Sequence, residues 1–116
     1  MADSMPVLFA YCNAAEEYQF VNGQYEKWFG LKPEEIIGRT VHEVVGDEAY
    51  EVVQPRIQSV LSGNPISYHS QLRYRHGGAR DVWAEYIPHR SLEGEVTGFY
   101  VMVVDVSDQV RVQEAS

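Results

Sequence analysis

The chain has 116 residues, 45% of them apolar, a net charge of −8 and a single cysteine. That length suits one domain with its own core, and one cysteine excludes an intrachain disulfide or a multi-cysteine zinc site. The acidic balance is densest in residues 1–60, where ten Asp/Glu face four Lys/Arg, and it removes the attraction that nucleic acids and anionic membranes depend on.

Residues 1–4 read as an unstructured lead. Pro6–Cys12 is an apolar, β-prone run, and Tyr18–Val21 is a second short one, so the pair predicts a hairpin. Asn22 suits a helix N-cap, with Tyr25, Trp28 and Phe29 on one apolar face behind it and Gly30 as the stop. Pro33 opens a further helix with Glu34 and Glu35 in its first turn, and Gly38 ends it. Val41–Val45 is a brief helical stretch closed by Gly46. A longer helix spans Asp47–Leu61, with Val53, Ile57, Val60 and Leu61 at helical spacing and Pro55 kinking it or marking its true start. From Ile66 to Arg75 the period becomes two, Gly77-Gly78 is a hairpin turn, and Val82, Ala84 and Tyr86 alternate on the return strand. Ser91–Glu95 makes a second turn, and residues 96–106 form a nearly continuous apolar strand suited to a central position.

Two strands, four short helices and three strands make an α+β chain. The late meander and the early hairpin complete one five-stranded antiparallel sheet, and the helices between strands 2 and 3 cover one face. No run approaches the ~18 apolar residues of a membrane span, and the N-terminus lacks a signal-peptide pattern. A cytoplasmic location is the expectation.

Several motifs in this order resemble the PAS family. Phe20-Val21-Asn22, Trp28-Phe29-Gly30-Leu31 and Pro33-Glu34-Glu35-Ile36-Ile37-Gly38 are similar to its N-terminal signature. Gly77-Gly78-Ala79-Arg80 with Trp83, and Gly94-Glu95-Val96-Thr97-Gly98-Phe99, resemble its two late hairpins. Asp105-Val106-Ser107 resembles the segment that closes PAS domains ahead of a signalling helix. The resemblance covers residues 6 to about 110 and is nearest to bacterial modules of sensor kinases and related signalling proteins. It implies a single domain over 1–116, with a core at about 6–107 and a C-terminal signalling linker from 108–116. It also implies a regulatory role, with a histidine kinase or nucleotide cyclase as output in a parent protein.

Trp28, Phe29, Val53, Ile57, Tyr68, Tyr86 and Tyr100 are the candidates to line a space between sheet and helices. Such a space suits a small apolar or aromatic ligand; the alternative is a solid core of packed rings, an interaction domain without a ligand. Haem and flavin are not expected. The long helix holds no His, and Cys12 lies outside the Asn-Cys-Arg position of the family's light-sensing flavin members. His42, His69, His76 and His89 have no metal-ligand spacing. No nucleophile elbow or phosphate loop is present, so a small α+β enzyme is the weaker alternative. Asp105 and Ser107 are the candidates to relay a signal out of the domain. Trp83, Val101 and Val103 are the candidates for an outer dimer face, with a second copy as the expected partner.

Overall fold

The structure, a computed structural model, describes residues 7–76 and 78–108. The expected lead at 1–4, Gly77 of the expected turn and residues 109–116 of the expected linker lie outside the described residues. β1 (Val7–Asn13) and β2 (Tyr18–Val21) form the first hairpin, whose turn is closed by the Asn13 side chain accepting from the N–H groups of Ala15 and Glu17. Four helices follow, α1 (Gln24–Phe29), α2 (Pro33–Ile36), α3 (Val41–Val45) and α4 (Asp47–Leu61). Then come β3 (Ile66–Tyr74), β4 (Gly78–Arg90) and β5 (Val96–Asp105). All five strands pair antiparallel in one sheet of order β2-β1-β5-β4-β3, which puts the most apolar strand in the middle. The expected α+β class, with helices inserted between strands 2 and 3, is the one observed.

Local chemistry sets the helix starts. At α3, Thr40 accepts from the Glu43 N–H at 3.2 Å, while Glu43 accepts from the Thr40 N–H at 3.0 Å, a reciprocal cap. At α2, Pro33 occupies the first turn and Glu35 reaches back to the Lys32 N–H. Asn22, expected to cap α1, does something else. Gly23 is the cap residue, without a side-chain bond, and the Asn22 amide instead holds the Val7 carbonyl at 2.9 Å and the Phe9 N–H at 3.2 Å. The polar side chain has turned to the strand that β2 is too short to cover. α4 runs on both sides of Pro55 and starts at Asp47. The carbonyl that Pro55 leaves without a donor belongs to Glu51, and both residues are exposed.

The sheet has two unlike faces. Leu8, Ala10, Tyr68, Leu72, Tyr86 and Phe99 point inward under the helices, and α4 contributes Ala49, Val53, Ile57 and Val60 to the same core. Each such Leu, Val or Ile side chain contributes roughly 1.5–3 kcal/mol by leaving water. The outer face carries Phe9, Tyr11, Trp83, Ile87 and Tyr100. A corner of the helical layer is pinned to the first hairpin by Tyr50, whose hydroxyl donates to Glu16 and whose ring stacks on His42 at 4.3 Å. Burial first, then the bond to Glu16, pushes the Tyr50 hydroxyl up to about 12.

Gly98 is required where β1 and β5 meet. Tyr11 lies across it, fixed by a 2.7 Å hydrogen bond with His89 and by the Tyr100 ring at 4.9 Å. A Cβ at Gly98 would collide with the Tyr11 hydroxyl and the Cys12 carbonyl. The carbonyl belongs to the paired backbone and cannot rotate away. Gly98→Ala is therefore expected to cost about 2 kcal/mol, read as a lower midpoint in urea; an unchanged midpoint would contradict the close approach.

Candidate functional site

Between the inner sheet face and the helices lies a cavity of about 30 Å³, room for about two water molecules. Among the described residues its wall combines ten aliphatic or phenylalanine side chains with five tyrosines, Tyr18, Tyr25, Tyr68, Tyr74 and Tyr86, and includes no charged side chain. The tyrosines come from β2, α1, β3 and β4, so every layer contributes a hydroxyl. Tyr68 and Tyr86 share a hydrogen bond of 2.7 Å with their rings edge to face, and the Tyr18 and Tyr25 rings also meet edge to face, 5.5 Å between centres. Burial pushes the hydroxyls of Tyr18, Tyr25, Tyr74 and Tyr86 well above their ordinary range, so they stay protonated. Burial raises Tyr68 as well, opposed by its bond with Tyr86 and by the Arg56 guanidinium lying 4.2 Å over its ring.

Five of the expected lining residues, Phe29, Val53, Ile57, Tyr68 and Tyr86, are in the cavity wall. Two are not. Trp28 is buried but stands outside the wall, packed on Tyr74 with ring centres 6.1 Å apart. Tyr100 lies on the outer face, 38% exposed, between Tyr11 and His89. Val101 and Val103, expected on the outer face, point inward and line the cavity. The cause is a bulge: Arg90 pairs with Val96 but His89 with Gly98, so Thr97 is an extra residue in β5 and the strand's phase is reversed beyond it. Trp83 does lie on the outer face, 40% exposed. Tyr18, Tyr25 and Tyr74 were not singled out from the sequence, although Tyr74 shares its phase with Tyr68 and Leu72, and Tyr25 shares a helix face with Phe29.

Asp105 meets Arg80, which the sequence marked only as part of a hairpin motif, and Ser107 meets Asp105 and Asp81. The Arg80 Nη1 donates to Asp105 Oδ2 at 2.8 Å, and its guanidinium lies 4.2 Å over the Trp28 ring. Asp105 Oδ1 accepts from the Ser107 N–H at 2.9 Å, and the Ser107 hydroxyl accepts from the Asp81 N–H at 3.2 Å. Burial opposes ionisation of Asp105, but the bonds from Ser107 and Arg80 outweigh it and hold the carboxyl below its ordinary value. The Arg80 Nε is buried without a hydrogen-bond partner among the described residues.

Cys12 is buried in β1, and burial pushes its thiol well above the ordinary value, the profile of a small hydrophobe. None of the four histidines belongs to the cavity wall. Among the described residues no group of three His, Cys, Asp or Glu side chains is placed to hold a metal ion, and no helix is long and apolar enough to cross a membrane.

A family model described as the PAS fold matches residues 2–111. Among solved structures, the PAS domain of a protein from Colwellia psychrerythraea is similar at 14% identity, covering 91% of each chain with a TM-score of 0.74. The PAS domain from Bordetella pertussis BvgS is similar at 21% identity over 97% of this chain and 86% of that one, TM-score 0.74. VqmA bound to DPO is similar at 19% identity over 84% of this chain, which spans 51% of that chain, with a TM-score of 0.66. At these identities the likeness is one of fold. No curated protein matches the sequence.

The Asp105 carboxyl gives a pH-dependent test. Its folded-state value is lowered, so its contribution is complete above the unfolded value of about 4 and is lost as pH falls through the folded value. Asp105→Asn is expected to cost about 2 kcal/mol at neutral pH, where it removes a charged partner of Arg80. The gap from wild type should close below about pH 4; in urea titrations, a gap independent of pH would contradict an ionised pair.

Proposed function

The chain belongs to the PAS fold family, and on that premise we propose that it is a sensory module that passes the state of its interior to whatever follows β5. The family's members serve as sensory and signalling modules, regulatory rather than enzymatic. One observation carries the proposal. Val101, Val103 and Asp105 are successive inward positions of β5, so the strand that walls the cavity also ends in the Asp105 carboxylate. A second route supports it: Tyr74 in the wall touches Trp28, Trp28 lies under Arg80, and Arg80 is bonded to Asp105. A ligand that binds one arrangement of the wall better than another shifts the population of the arrangement at Asp105 and Ser107.

The input is a small apolar or aromatic molecule, and the output is a domain joined beyond β5. VqmA, similar in fold, is bound to DPO in its solved structure, which supports a small-ligand reading here. Haem and flavin are not part of the proposal: the wall offers no histidine or cysteine, and about 30 Å³ is far below the size of either. Among proteins in which this chain precedes an output segment, Asp105→Ala is expected to remain folded at room temperature, since stability of ~5–15 kcal/mol tolerates the loss. Its output should no longer depend on the stimulus. Gly98→Ala, destabilised to a similar extent away from this node, should still respond. Normal stimulus dependence in Asp105→Ala would remove the relay role.

The outer face favours a second, compatible reading, association of two copies. Phe9, Phe20, Trp83, Ile87 and Tyr100 are all exposed on one side of the sheet, and a cluster of exposed apolar side chains on one face is the kind of surface that associates. The dimer face is therefore proposed around Trp83 and these residues. Sedimentation velocity should give a dimer that Trp83→Lys converts to a monomer; a wild-type monomer at the highest soluble concentration would sink the pairing.

A further inference from the structure

We propose that a groove on the outside of the helical layer is a docking site for a segment of a partner protein that carries one carboxylate beside an apolar side chain. The groove is separate from the interior cavity, and the proposal does not depend on the sensing reading.

Three parts of the chain that are distant in sequence build it. The end of α1 brings Phe29 and Leu31, the α2–α3 segment brings Arg39 and Val44, and the β3–β4 turn brings Arg75 and His76, around a space of about 380 Å³. That volume falls in the range of sites that hold ligands. The base belongs to the core: Phe29 and Val44 are buried, and Phe29 also lines the interior cavity. Arg75 is fixed from behind. Its N–H donates to the Val45 carbonyl at 2.9 Å, and Gly46, at φ 92°, lies so close that a Cβ there would meet the Arg75 Cβ. The fold, rather than a chance gap between side chains, sets the walls.

Charge decides the occupant. Acids outnumber Lys and Arg by 17 to 9 in the chain, yet among the described residues neither Arg39 nor Arg75 has a carboxylate within ion-pair distance. Each is oriented by a backbone carbonyl instead. Arg39 Nε donates to Glu35 at 2.8 Å and Arg75 Nη1 to Glu43 at 3.3 Å, which engages only one of the five N–H groups of each guanidinium. The Glu43 carboxylate, also on the rim, is turned to Thr40, accepting from its N–H and its hydroxyl. The backbone bond first, then the hydroxyl, holds it below its ordinary value, so it stays ionised.

Two guanidiniums against one carboxylate leave a single positive charge on the rim. That surplus matches one carboxylate, which a guanidinium takes through paired N–H bonds. A phosphate dianion or a run of acids would meet Glu43 and the −8 of the whole chain. The half-buried Leu31 offers a neighbouring apolar side chain a surface to cover. Gly30, Arg39, Arg75 and His76 are all exposed, so a free small acid would keep most of its own surface in water, whereas a polypeptide can span the groove. A protein segment is therefore the occupant.

The test is an NMR titration of the chain with short blocked peptides, read at the backbone amides of Gly30, Leu31, Val44 and His76. A peptide with one glutamate between two leucines should shift these signals saturably. Its counterpart with glutamine should bind about three- to tenfold more weakly, and the one with serines in place of the leucines at least about threefold. Arg39→Gln and Arg75→Gln should each cost about as much as the glutamine peptide does. Arg73→Gln should bind as wild type, because Arg73 stands outside the groove and is paired with Glu48 at 3.6 Å. No saturable shift at the groove, equal binding of the glutamine peptide, or a loss in Arg73→Gln equal to that in Arg75→Gln would overturn the site. Tighter binding of a peptide with phosphoserine in place of the glutamate, or hexanoate alone binding as tightly as the peptide, would overturn the occupant.

Discussion

The pairing of β1 with β5 is the constraint on which everything else depends. It sets Val7 opposite Val104 and Asn13 opposite Gly98, joining the two ends of the described chain in one ladder. Closing so long a loop costs chain entropy, though the cost grows only slowly with length. Without that ladder the hairpin and the meander would be separate sheets with no common inner face to roof. Two residues serve it directly. Gly98 lets the strands approach with Tyr11 lying over the junction. Asn22 supplies, from its side chain, the donor and acceptor that the four-residue β2 cannot offer to Val7 and Phe9. The edge of β1 is thereby satisfied along its length.

The choice of tyrosine over phenylalanine gives the interior its character. A core of phenylalanines would pack as well and make no demand of its neighbours. Hydroxyls in a low-dielectric space must find partners, and the Tyr68–Tyr86 bond meets part of that need while joining β3 to β4; the Tyr18 and Tyr25 rings pack edge to face between β2 and α1. The result is polar without being ionic.

Element order, the three hairpins and the helix boundaries were legible in the sequence because they rest on local signals: turn glycines, caps and a change of period. Phe29, Val53, Ile57, Tyr68 and Tyr86 were placed in the wall on the same basis. The phase of β5 was not legible. Its residues are apolar on both faces, so hydropathy carries no parity, and a regular ladder continued from the Arg90–Val96 pair would set Tyr100 opposite Tyr86. The extra residue at Thr97 sets Val101 there instead. One bulge thus exchanges Tyr100 with Val101 and Val103 between the two faces, and it leaves no mark in composition. The role of Arg80 escaped notice for a different reason. A charged residue on a strand reads as solvent-facing until a partner is known, and its partners, Trp28 and Asp105, are distant in sequence.

That same arginine is where stability and the proposed relay pull in different directions. A half-buried ion pair is weak evidence for stability, because apolar residues of similar shape often do as well. Here the pair also leaves the Arg80 Nε without a partner, a cost that optimisation of stability alone would have removed. What the arrangement provides is geometry. Arg80 is held from one side by an aromatic ring of α1 and from the other by the last inward residue of β5, and the same carboxylate fixes the Ser107 N–H as the chain leaves the sheet. In the proposed relay, displacement of α1, or of β5 through Val101 and Val103, would reach one carboxylate by two paths. An apolar replacement would keep the packing and lose that convergence, and on the proposed relay this is what the charge is for.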